Sequence, residues 1–412
     1  MNRPHPNADV RMRGFVSRAT VDEALAWLNG QVQTLPAEKI ALSDAVGRVL
    51  AVDVVSQFDV PGFDRAMMDG YAVVAADTQG ASPYNPLPLT VLGTALPGQP
   101  FLGSVAPGQA VRVMTGAPMP DGADAVLPAE VTELDGPRLI AQADVPPGRH
   151  VGFQAEDIRR NALLLPAGRE LRPQDLGVLS SVGVAEVSVV RRPTVRIVAT
   201  GNELLPAGSA PHGYHITDAN TPMLRALAVR DGGQMLSAEI VPDQRERILA
   251  AIRQPCDVLL VSGGSSVGQE DHVPTLVAEH GELAIHGIAM RPSSPTGLGK
   301  LGPALVMLLP GNPVSCLCAY DFFAGRAIRM LGGRNPDWPY RRARLPLARK
   351  LVSTVGRVDY ARVTLAGGQI EPVSISGASV LSSTTRADGF VIVPGDSEGY
   401  AAGSAVEVFL YD

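Results

Sequence analysis

The sequence predicts a multidomain α/β protein whose central domain contains a doubly wound, mostly parallel sheet. With 412 residues, the chain exceeds what a single hydrophobic core normally serves. Strand-like and helix-like segments alternate between residues 188 and 333, which is typical of a parallel sheet with helices on both faces. Outside that region, short strand-like runs are separated by Pro and Gly, which predicts additional β domains.

The predicted organisation includes a small domain that is interrupted by an insertion. The segment from Leu163 to Gly183 resembles the helical start of the chain more than the β-rich stretch before it, so we expect that stretch to be inserted. The expected segments are a flexible tail (1–17), a small helical and β domain (18–52 plus 149–187), an inserted β domain (53–148), the α/β domain (188–333) and a C-terminal β-barrel-like domain (334–412).

The first predicted element is an amphipathic helix that starts after Thr20. Thr20 and Glu23 form the capping pair T-x-x-E, and apolar residues such as Leu25 and Leu28 follow at helical spacing. A second short helix is expected at 43–50. A strand near Leu163 and a helix that begins with Pro-Gln-Asp follow in the second part of the small domain.

The α/β domain is predicted from eight alternating elements. They are strand 194–200, a helix from Thr221, strand 235–241, a helix from Asp243, strand 257–263, a helix near Pro274, strand 304–309 and a long helix from Val314. Alternating runs at 358–365, 390–394 and 405–412 predict the strands of the C-terminal domain.

The composition excludes several classes of function. The 35 basic and 41 acidic residues give a formal net charge of −6, which offers no basic surface for nucleic acid. No apolar run is long enough to span a membrane, and the N-terminus lacks the apolar core of a signal peptide, so we expect no membrane contact. Three cysteines without a paired framework favour a reducing compartment, and we predict a cytoplasmic protein.

Three loops that follow predicted strands are the best candidates for a site. In an open α/β sheet, ligands bind beyond the carboxyl ends of the strands. These loops read Thr-Gly-Asn-Glu at 200–203, Ser-Gly-Gly-Ser-Ser-Val-Gly at 262–268 and Leu-Pro-Gly-Asn-Pro at 309–313. The glycines and hydroxyls of the middle loop predict a phosphate cradle. Neither a P-loop motif nor G-x-G-x-x-G is present, which argues against ATPases and dinucleotide-dependent dehydrogenases.

Four carboxylates follow the same edge of the predicted sheet. They are Glu203, Asp218, Asp243 and Asp271. Carboxylate oxygens beside a phosphate cradle are what Mg²⁺ prefers when it joins a protein to a phosphorylated ligand. The alternative is that Asp218 and Asp243 only cap helices.

Other motifs have ordinary structural explanations. Asp69-Gly70 is typical of a hairpin turn, and Thr115-Gly116 of a loop. The seven histidines lack partners at zinc-ligand spacing, so we assign them no metal. Cys316 and Cys318 lie on an apolar helix, where buried hydrophobic side chains are expected.

Taken together, the motifs resemble the molybdopterin molybdenumtransferase family, which includes MoeA and the gephyrin E domain. The resemblance extends over nearly the whole chain and follows the family's motif order. The segments are FDRAMMDGYAV (63–73), MTGAPMPDGADAVLPAE (114–130), AEDI (155–158), ATGNEL (199–204), SGGSSVGQEDHV (262–273), LPGNPVS (309–315) and LSSTTRADGFVIVP (381–394).

The resemblance implies an elongated four-domain subunit with a central domain of the molybdopterin-binding type. It also implies a homodimer and a Mg²⁺-dependent transferase that inserts molybdate into adenylylated molybdopterin and releases AMP. Asp243 and Asp271 would be the Mg²⁺ carboxylates. The catalytic groups implied are Asp69, Thr115, Asp157, Glu203 and Asp271.

The resemblance and the loop analysis together predict the substrate-binding residues. They are Asp218, Ser262, Gly263, Gly264, Ser265, Gly268, Arg291, Ser293, Ser294, Pro310, Gly311, Asn312, Pro313 and Arg362.

One departure from the family pattern concerns the oxyanion. The family's Lys-Pro-Gly-Lys-Pro segment is replaced by Arg-Pro-Ser-Ser-Pro at 291–295. Arg291 keeps one positive charge, whereas the Ser294 hydroxyl can donate a hydrogen bond but cannot neutralise an anion. We therefore expect Arg291 and Arg362 to supply the positive charge. The alternative is a non-catalytic molybdopterin-binding or scaffold paralogue that has lost the molybdate site.

Overall fold

A computed structural model describes residues 18–264, 272–374 and 379–411 of the chain. Contacts divide the chain into two compact units. The larger unit holds the residues up to Glu38, Gly47–Val49 and those from Val189 onwards, and the smaller unit holds Lys39–Val46 and Leu50–Ser188. In the part of the chain that is described, no helix is long and apolar enough to cross a membrane.

The sheet of the α/β domain has six strands, and the four predicted ones are its parallel part. The spatial order is Gln234–Val241, Thr194–Thr200, Val258–Ser262, Ala304–Leu309, Gly297–Leu301 and Glu282–His286. The first four strands run parallel, and the pairings of Gly297–Leu301 with both of its neighbours are antiparallel. Those last two strands were not predicted.

Alternate residues of the parallel strands enter two different hydrophobic cores, so both faces of the sheet are covered. Leu260 and Met307 pack in one core with the helices Asn220–Arg230 and Pro313–Ala319. Leu259 and Val306 pack in the other core, whose helices are Arg245–Ile252 and Val273–His280. Burial on both faces explains why these strands read as continuous aliphatic runs. The predicted doubly wound, mostly parallel sheet is confirmed.

The first helix, Val21–Gln31, begins at the predicted capping box. The Thr20 hydroxyl accepts a hydrogen bond from the Glu23 N–H at 3.1 Å, and the Glu23 carboxylate accepts one from the Thr20 N–H at 2.8 Å. The helix predicted at 43–50 is wrong. Only a single 3-10 turn forms, Leu42–Asp44, because Gly47 has a left-handed φ of 71° that an α-helix cannot accommodate.

The long helix predicted from Val314 is interrupted by a wider, π-helical turn. It consists of the α-helix Pro313–Ala319, the π-helical segment Tyr320–Ala324 and the α-helix Gly325–Leu331. The Gly325 N–H donates to the Tyr320 carbonyl, five residues earlier. An extra residue in one turn changes which side chains face inward, and Tyr320 and Asp321 are both fully buried.

The C-terminal β domain is built from strands that include the three predicted ones. Its sheet has the order Met290–Arg291, Val358–Ala366, Gly389–Val393, Ala405–Leu410 and Arg341–Pro346, with Gln369–Ser374 paired to Val358–Ala366. Smaller elements are the strands Leu351–Val352 and Gly399–Tyr400 and the helix Ser382–Arg386. The strand Met290–Arg291 comes from the α/β part of the sequence and pairs in parallel with Val358–Asp359.

The smaller unit is mostly β-structure, as predicted for the inserted stretch. Its main sheet has the order Ala125–Pro128, Gly70–Val73, Gln109–Val113, Leu87–Ala95, Arg138–Ala141 and Thr132–Asp135. Short strands pair Val54–Val55 with Leu163–Leu165 and Arg65–Ala66 with Val151–Gly152. The predicted helix that begins with Pro-Gln-Asp is present as Pro173–Ser181, and Ala37–Ala41 and Glu186–Val190 are also strands.

A buried carboxylate links the π-helical segment to the C-terminal strands. Asp321 is fully buried and accepts hydrogen bonds from the hydroxyls of Tyr340 at 2.9 Å and Tyr360 at 3.0 Å. The Arg230 guanidinium lies 3.6 Å from it. Burial outweighs these favourable partners and raises the pKa of Asp321 to about 6.

We expect Asp321→Asn to change the pH dependence of stability in a defined direction. The native pKa of about 6 lies above the ordinary value of 3.8, so the native protein takes up a proton that the unfolded chain does not bind between these values. As the pH falls from 7.5 to 5, the wild type should therefore gain about 1 kcal/mol of unfolding free energy relative to the variant. Urea denaturation at both pH values measures this difference.

The control is Asp337→Asn, which removes an exposed carboxylate from the same unit. A difference between wild type and Asp321→Asn that stays constant from pH 7.5 to 5 would contradict the role assigned to Asp321.

Candidate functional site

A cavity of about 1150 Å³ lies in the larger unit at the carboxyl edge of the parallel strands. Its walls include the residues that follow Thr194–Thr200, Val258–Ser262 and Ala304–Leu309. Residues 289–295, and residues 354–357 of the C-terminal domain, also line it. The cavity therefore lies where the topology of the sheet predicts a ligand.

Two glycines allow the strand-end loops to come together. Gly263 has a φ of 90°, and a Cβ atom there would lie 2.4 Å from the Thr200 carbonyl oxygen. Gly264 has a φ of 56°, and its Cβ would lie 2.8 Å from the Thr200 hydroxyl. Both the backbone conformation and the close approach require residues without a side chain.

Asn220 links the loop after Val258–Ser262 to the loop after Ala304–Leu309. Its side-chain amide donates hydrogen bonds to the Ser262 hydroxyl at 2.8 Å and to the Gly311 carbonyl at 2.7 Å. Asp218 fixes the start of this helix, because its carboxylate accepts from the N–H groups of Asn220 at 2.9 Å and Thr221 at 3.1 Å. Asp218 therefore stabilises the start of this helix and also lines the cavity. Asn220 was not predicted, although the Asp-x-Asn pattern at a helix start was an available signal in the sequence.

Three of the predicted carboxylates line the same cavity: Glu203, Asp218 and Asp243. The Asp243 carboxylate accepts from the Asn202 N–H at 3.1 Å, and the Asn202 side chain accepts from the Asp243 N–H at 3.1 Å. The helix that follows begins at Arg245 with Gln244 as its N-cap. The capping alternative is therefore wrong for Asp243, whose carboxylate is held by the opposite loop instead.

The donor set of this edge suits Mg²⁺ only together with a ligand. In the described ranges, no three His, Cys, Asp or Glu side chains gather closely enough to hold a metal ion. Asp271, the second predicted Mg²⁺ carboxylate, lies outside the described residues. Mg²⁺ usually keeps several waters and takes one or two carboxylates plus ligand phosphates, so the oriented Asp243 fits such an ion.

Three buried side-chain oxygen atoms around the cavity have no hydrogen-bond partner among the described residues. They are the hydroxyl oxygens of Thr200 and Ser294 and the side-chain carbonyl oxygen of Asn220. All three residues line the cavity, and Thr200 is only 4% exposed. Because an unsatisfied buried polar group costs about 1 to 3 kcal/mol, these atoms indicate a wall built to meet a polar ligand.

The segment that departs from the family pattern forms another part of the lining. Arg291, Ser293 and Ser294 all line the cavity. The guanidinium of Arg291 binds the buried Asp359 through both oxygens, with Nε 3.0 Å from Oδ1. Ser293 has a left-handed φ of 91°, and its hydroxyl donates to the Ser315 carbonyl.

The structure brings most of the predicted substrate-binding residues to one cavity. Together with the acids Glu203 and Asp243, those that line it are Asp218, Ser262, Gly263, Gly264, Arg291, Ser293, Ser294, Pro310, Gly311, Asn312 and Pro313. Ser265 and Gly268, like Asp271, lie outside the described residues. Arg362 is 2% exposed and absent from the described lining, and burial lowers its pKa.

The remaining predicted residues, Asp69, Thr115 and Asp157, lie in the smaller unit. Asp69 accepts hydrogen bonds from both the N–H and the hydroxyl of Thr115, each at 2.8 Å. These bonds lower the pKa of Asp69 and keep it ionised. The hairpin explanation of Asp69-Gly70 is wrong, because the strands on either side pair with other strands and not with each other. Asp157 is exposed.

Comparison with known proteins identifies the family. Three family models match: "MoeA N-terminal region (domain I and II)" at 19–183, "Probable molybdopterin binding domain" at 196–329 and "MoeA C-terminal region (domain IV)" at 344–411. A molybdopterin molybdenumtransferase from Staphylococcus aureus (strain COL) is 30% identical over 95% of this chain and 95% of its own length. The chain belongs to the MoeA family. The family predicted from the motifs is thus confirmed.

Other MoeA relatives agree with this assignment. A molybdopterin molybdenumtransferase 2 from Mycobacterium tuberculosis (strain CDC 1551 / Oshkosh) is 33% identical over 90% of this chain and 94% of its own length. The names of these relatives confirm the prediction of a transferase, and they give no support to the non-catalytic alternative.

Solved MoeA structures confirm the predicted fold class. A crystal structure of a molybdopterin biosynthesis MoeA protein from Pyrococcus horikoshii has a TM-score of 0.83 at 32% identity and covers 96% of this chain and 99% of that chain. A second structure of that name from strain OT3 has a TM-score of 0.78 at 31% identity and covers 96% and 100%.

We expect Gly263→Ala to disrupt the cavity. The added methyl group would meet the Thr200 carbonyl oxygen at 2.4 Å while the backbone stays in the left-handed region. The combined clash and strain should cost roughly 2 to 4 kcal/mol of unfolding free energy. Thermal denaturation and urea denaturation measure this loss.

Gly208→Ala provides a matched control. Gly208 has nearly the same φ, 88°, but nothing lies within 4 Å of its added Cβ. It should therefore show the strain without the clash. Equal losses in the two variants would mean that the approach of Gly263 to Thr200 does not matter.

Proposed function

We propose that this MoeA protein inserts molybdate into adenylylated molybdopterin in a Mg²⁺-dependent reaction that releases AMP. The observation that supports it is the convergence of glycine-bearing strand-end loops, oriented carboxylates and an arginine on one cavity. Each feature suits one component of this reaction. The loops suit the phosphates of the pterin substrate, the carboxylates suit Mg²⁺, and the arginine suits the molybdate oxyanion.

The size and the walls of the cavity support a ligand with two large parts. At about 1150 Å³, the cavity is larger than a typical small-molecule site, which spans about 300 to 1,000 Å³. Two exposed apolar side chains, Ile216 and Val355, line it and offer surfaces for flat rings. A pterin joined through phosphates to an adenosine fits this combination.

Asp243 is the described residue best placed to hold Mg²⁺, with Asp271 as its proposed partner. The hydrogen bonds between Asn202 and Asp243 fix the carboxylate before any ion arrives. When bound, Mg²⁺ would neutralise charge on the phosphate oxygens of the substrate. Glu203 lies next to Asn202 on the loop that orients Asp243. The Thr200 hydroxyl can donate a hydrogen bond to a phosphate oxygen.

The resemblance supports further parts of the proposal. Asp69, Thr115 and Asp157 are proposed as catalytic groups, and the lowered pKa of Asp69 suits a negatively charged role, such as the attraction of a cation. We also propose a homodimer, which sedimentation equilibrium would test, and a cytoplasmic location, which the three free thiols support.

The direct test is AMP release by purified protein under anaerobic conditions. AMP should appear when adenylylated molybdopterin, molybdate and Mg²⁺ are all present, and omission of either ion should abolish it. Tight binding of the pterin without turnover would instead identify a non-catalytic binder and overturn the proposal.

We expect Asp243→Asn to raise the Mg²⁺ concentration needed for half-maximal turnover by roughly tenfold or more. The amide can still accept the hydrogen bond from Asn202, but it has lost the charge that attracts the ion. Rates of AMP release across a Mg²⁺ titration measure the change.

Glu246→Gln is the matched control, because it removes an exposed carboxylate from the helix that follows Asp243. Identical Mg²⁺ curves for wild type and Asp243→Asn would remove Asp243 from the proposed site.

A further inference from the structure

The part of the cavity wall formed by residues 291–295 and 354–357 is the proposed oxyanion site. The source of its positive charge needs an explanation. Ser294 stands where the resemblance implies a family lysine, and its hydroxyl is buried without a partner among the described residues. The guanidinium of Arg291 is already bound to both oxygens of Asp359. An oxyanion bound here would therefore need positive charge from another residue, because burying an uncompensated dianion costs several kcal/mol.

Strand pairing brings a second arginine to this wall. Arg291 lies opposite Asp359 in the parallel pairing of Met290–Arg291 with the strand that starts at Val358. Arg357 directly precedes this strand, two residues before Asp359. Gly356 forms the preceding turn, with a left-handed φ of 97° and an N–H that donates to the Gly395 carbonyl at 2.7 Å. The turn therefore fixes the backbone position from which the Arg357 side chain extends.

The charges of Arg291, Arg357 and Asp359 do not cancel. Asp359 is fully buried and accepts from Arg291 and from the Ser353 hydroxyl, which lies 2.6 Å away. Arg357 adds a second guanidinium, whose Nε lies 3.4 Å from Asp359 Oδ1. Two guanidinium groups against one carboxylate leave one net positive charge at the wall.

Arg357 also has the exposure that an anion contact needs. It lines the cavity, and its side chain is 35% exposed. Among the described residues, its Nη2 makes a single, long hydrogen bond of 3.4 Å to the Thr354 hydroxyl, a weak contact that an incoming oxyanion can replace. Arg362, in contrast, is 2% exposed.

We infer that Arg357, together with the Ser294 hydroxyl, binds the tetrahedral oxyanion substrate and supplies the charge that position 294 lacks. The inference rests on the proposed function for the identity of the anion, molybdate. A guanidinium presents several N–H groups in one plane and matches two oxygens of a tetrahedral anion at once. The serine adds a neutral donor from the neighbouring segment.

Calorimetric titration of the full chain with molybdate tests this contact without turnover. Arg357→Gln should weaken molybdate binding roughly tenfold, which corresponds to about 1.4 kcal/mol, and should leave AMP affinity within about threefold. Arg357→Lys keeps the charge and should lose less. Arg344→Gln is the control, because it removes an exposed arginine from the same domain that does not line the cavity.

A rescue variant keeps the test decisive even if Arg357→Gln is less stable. Adding Ser294→Lys to Arg357→Gln should restore molybdate affinity to within about threefold of wild type, because both positions would face the same anion. Unchanged molybdate affinity in Arg357→Gln, an equal loss in Arg344→Gln, or no rescue would each overturn the inference.

The outcomes also separate this inference from the proposed function. If wild-type protein binds adenylylated molybdopterin but no molybdate, the oxyanion contact is wrong while the pterin site stands. If molybdate binding follows Arg357 but no AMP is released, the contact stands and the proposed reaction fails.

Discussion

The burial of the Asp359 carboxylate holds together the part of the larger unit that forms the cavity wall. A fully buried carboxylate is tolerated only when cations and hydrogen-bond donors come to it, because desolvation costs several kcal/mol. The donors arrive from two parts of the chain: Arg291 from the end of the α/β region, and Ser353 and Arg357 from the C-terminal domain. The strand register that satisfies Asp359 thereby also brings the two sides of the cavity wall together.

The same principle operates at a second group of buried carboxylates in the larger unit. Asp231 and Asp321 are almost completely buried, and each is matched by arginines and tyrosines. Tyr320 donates to Asp231 at 2.8 Å, and Arg329 lies 3.0 Å from it. Such networks fix relative positions more strictly than apolar packing does, because a shift leaves charges unpaired.

The sequence was sufficient for the features that depend on local pattern. Buried parallel strands read as aliphatic runs, and the topology rule then places their loops at one edge. The strand Gly297–Leu301 was missed because its glycines and lysine give no strand-like pattern. Asn220 and Arg357 were missed for a different reason: their roles depend on partners that approach only in the fold, such as Gly311, 91 residues from Asn220. The i, i+2 spacing of Arg357 and Asp359 was a signal, but it was ambiguous without the paired strand.

The π-helical turn at Tyr320–Ala324 determines how the chain tolerates changes in length. It contains one residue more than a regular turn, so deletion of one residue there would leave an unbroken α-helix. Every later side chain of this helix would then rotate by about 100° around the helix axis, since each residue advances by that angle. Arg329 would turn away from Asp231, and the buried carboxylate would lose a cation. The one-residue deletion would therefore give a more regular α-helix in a less stable protein.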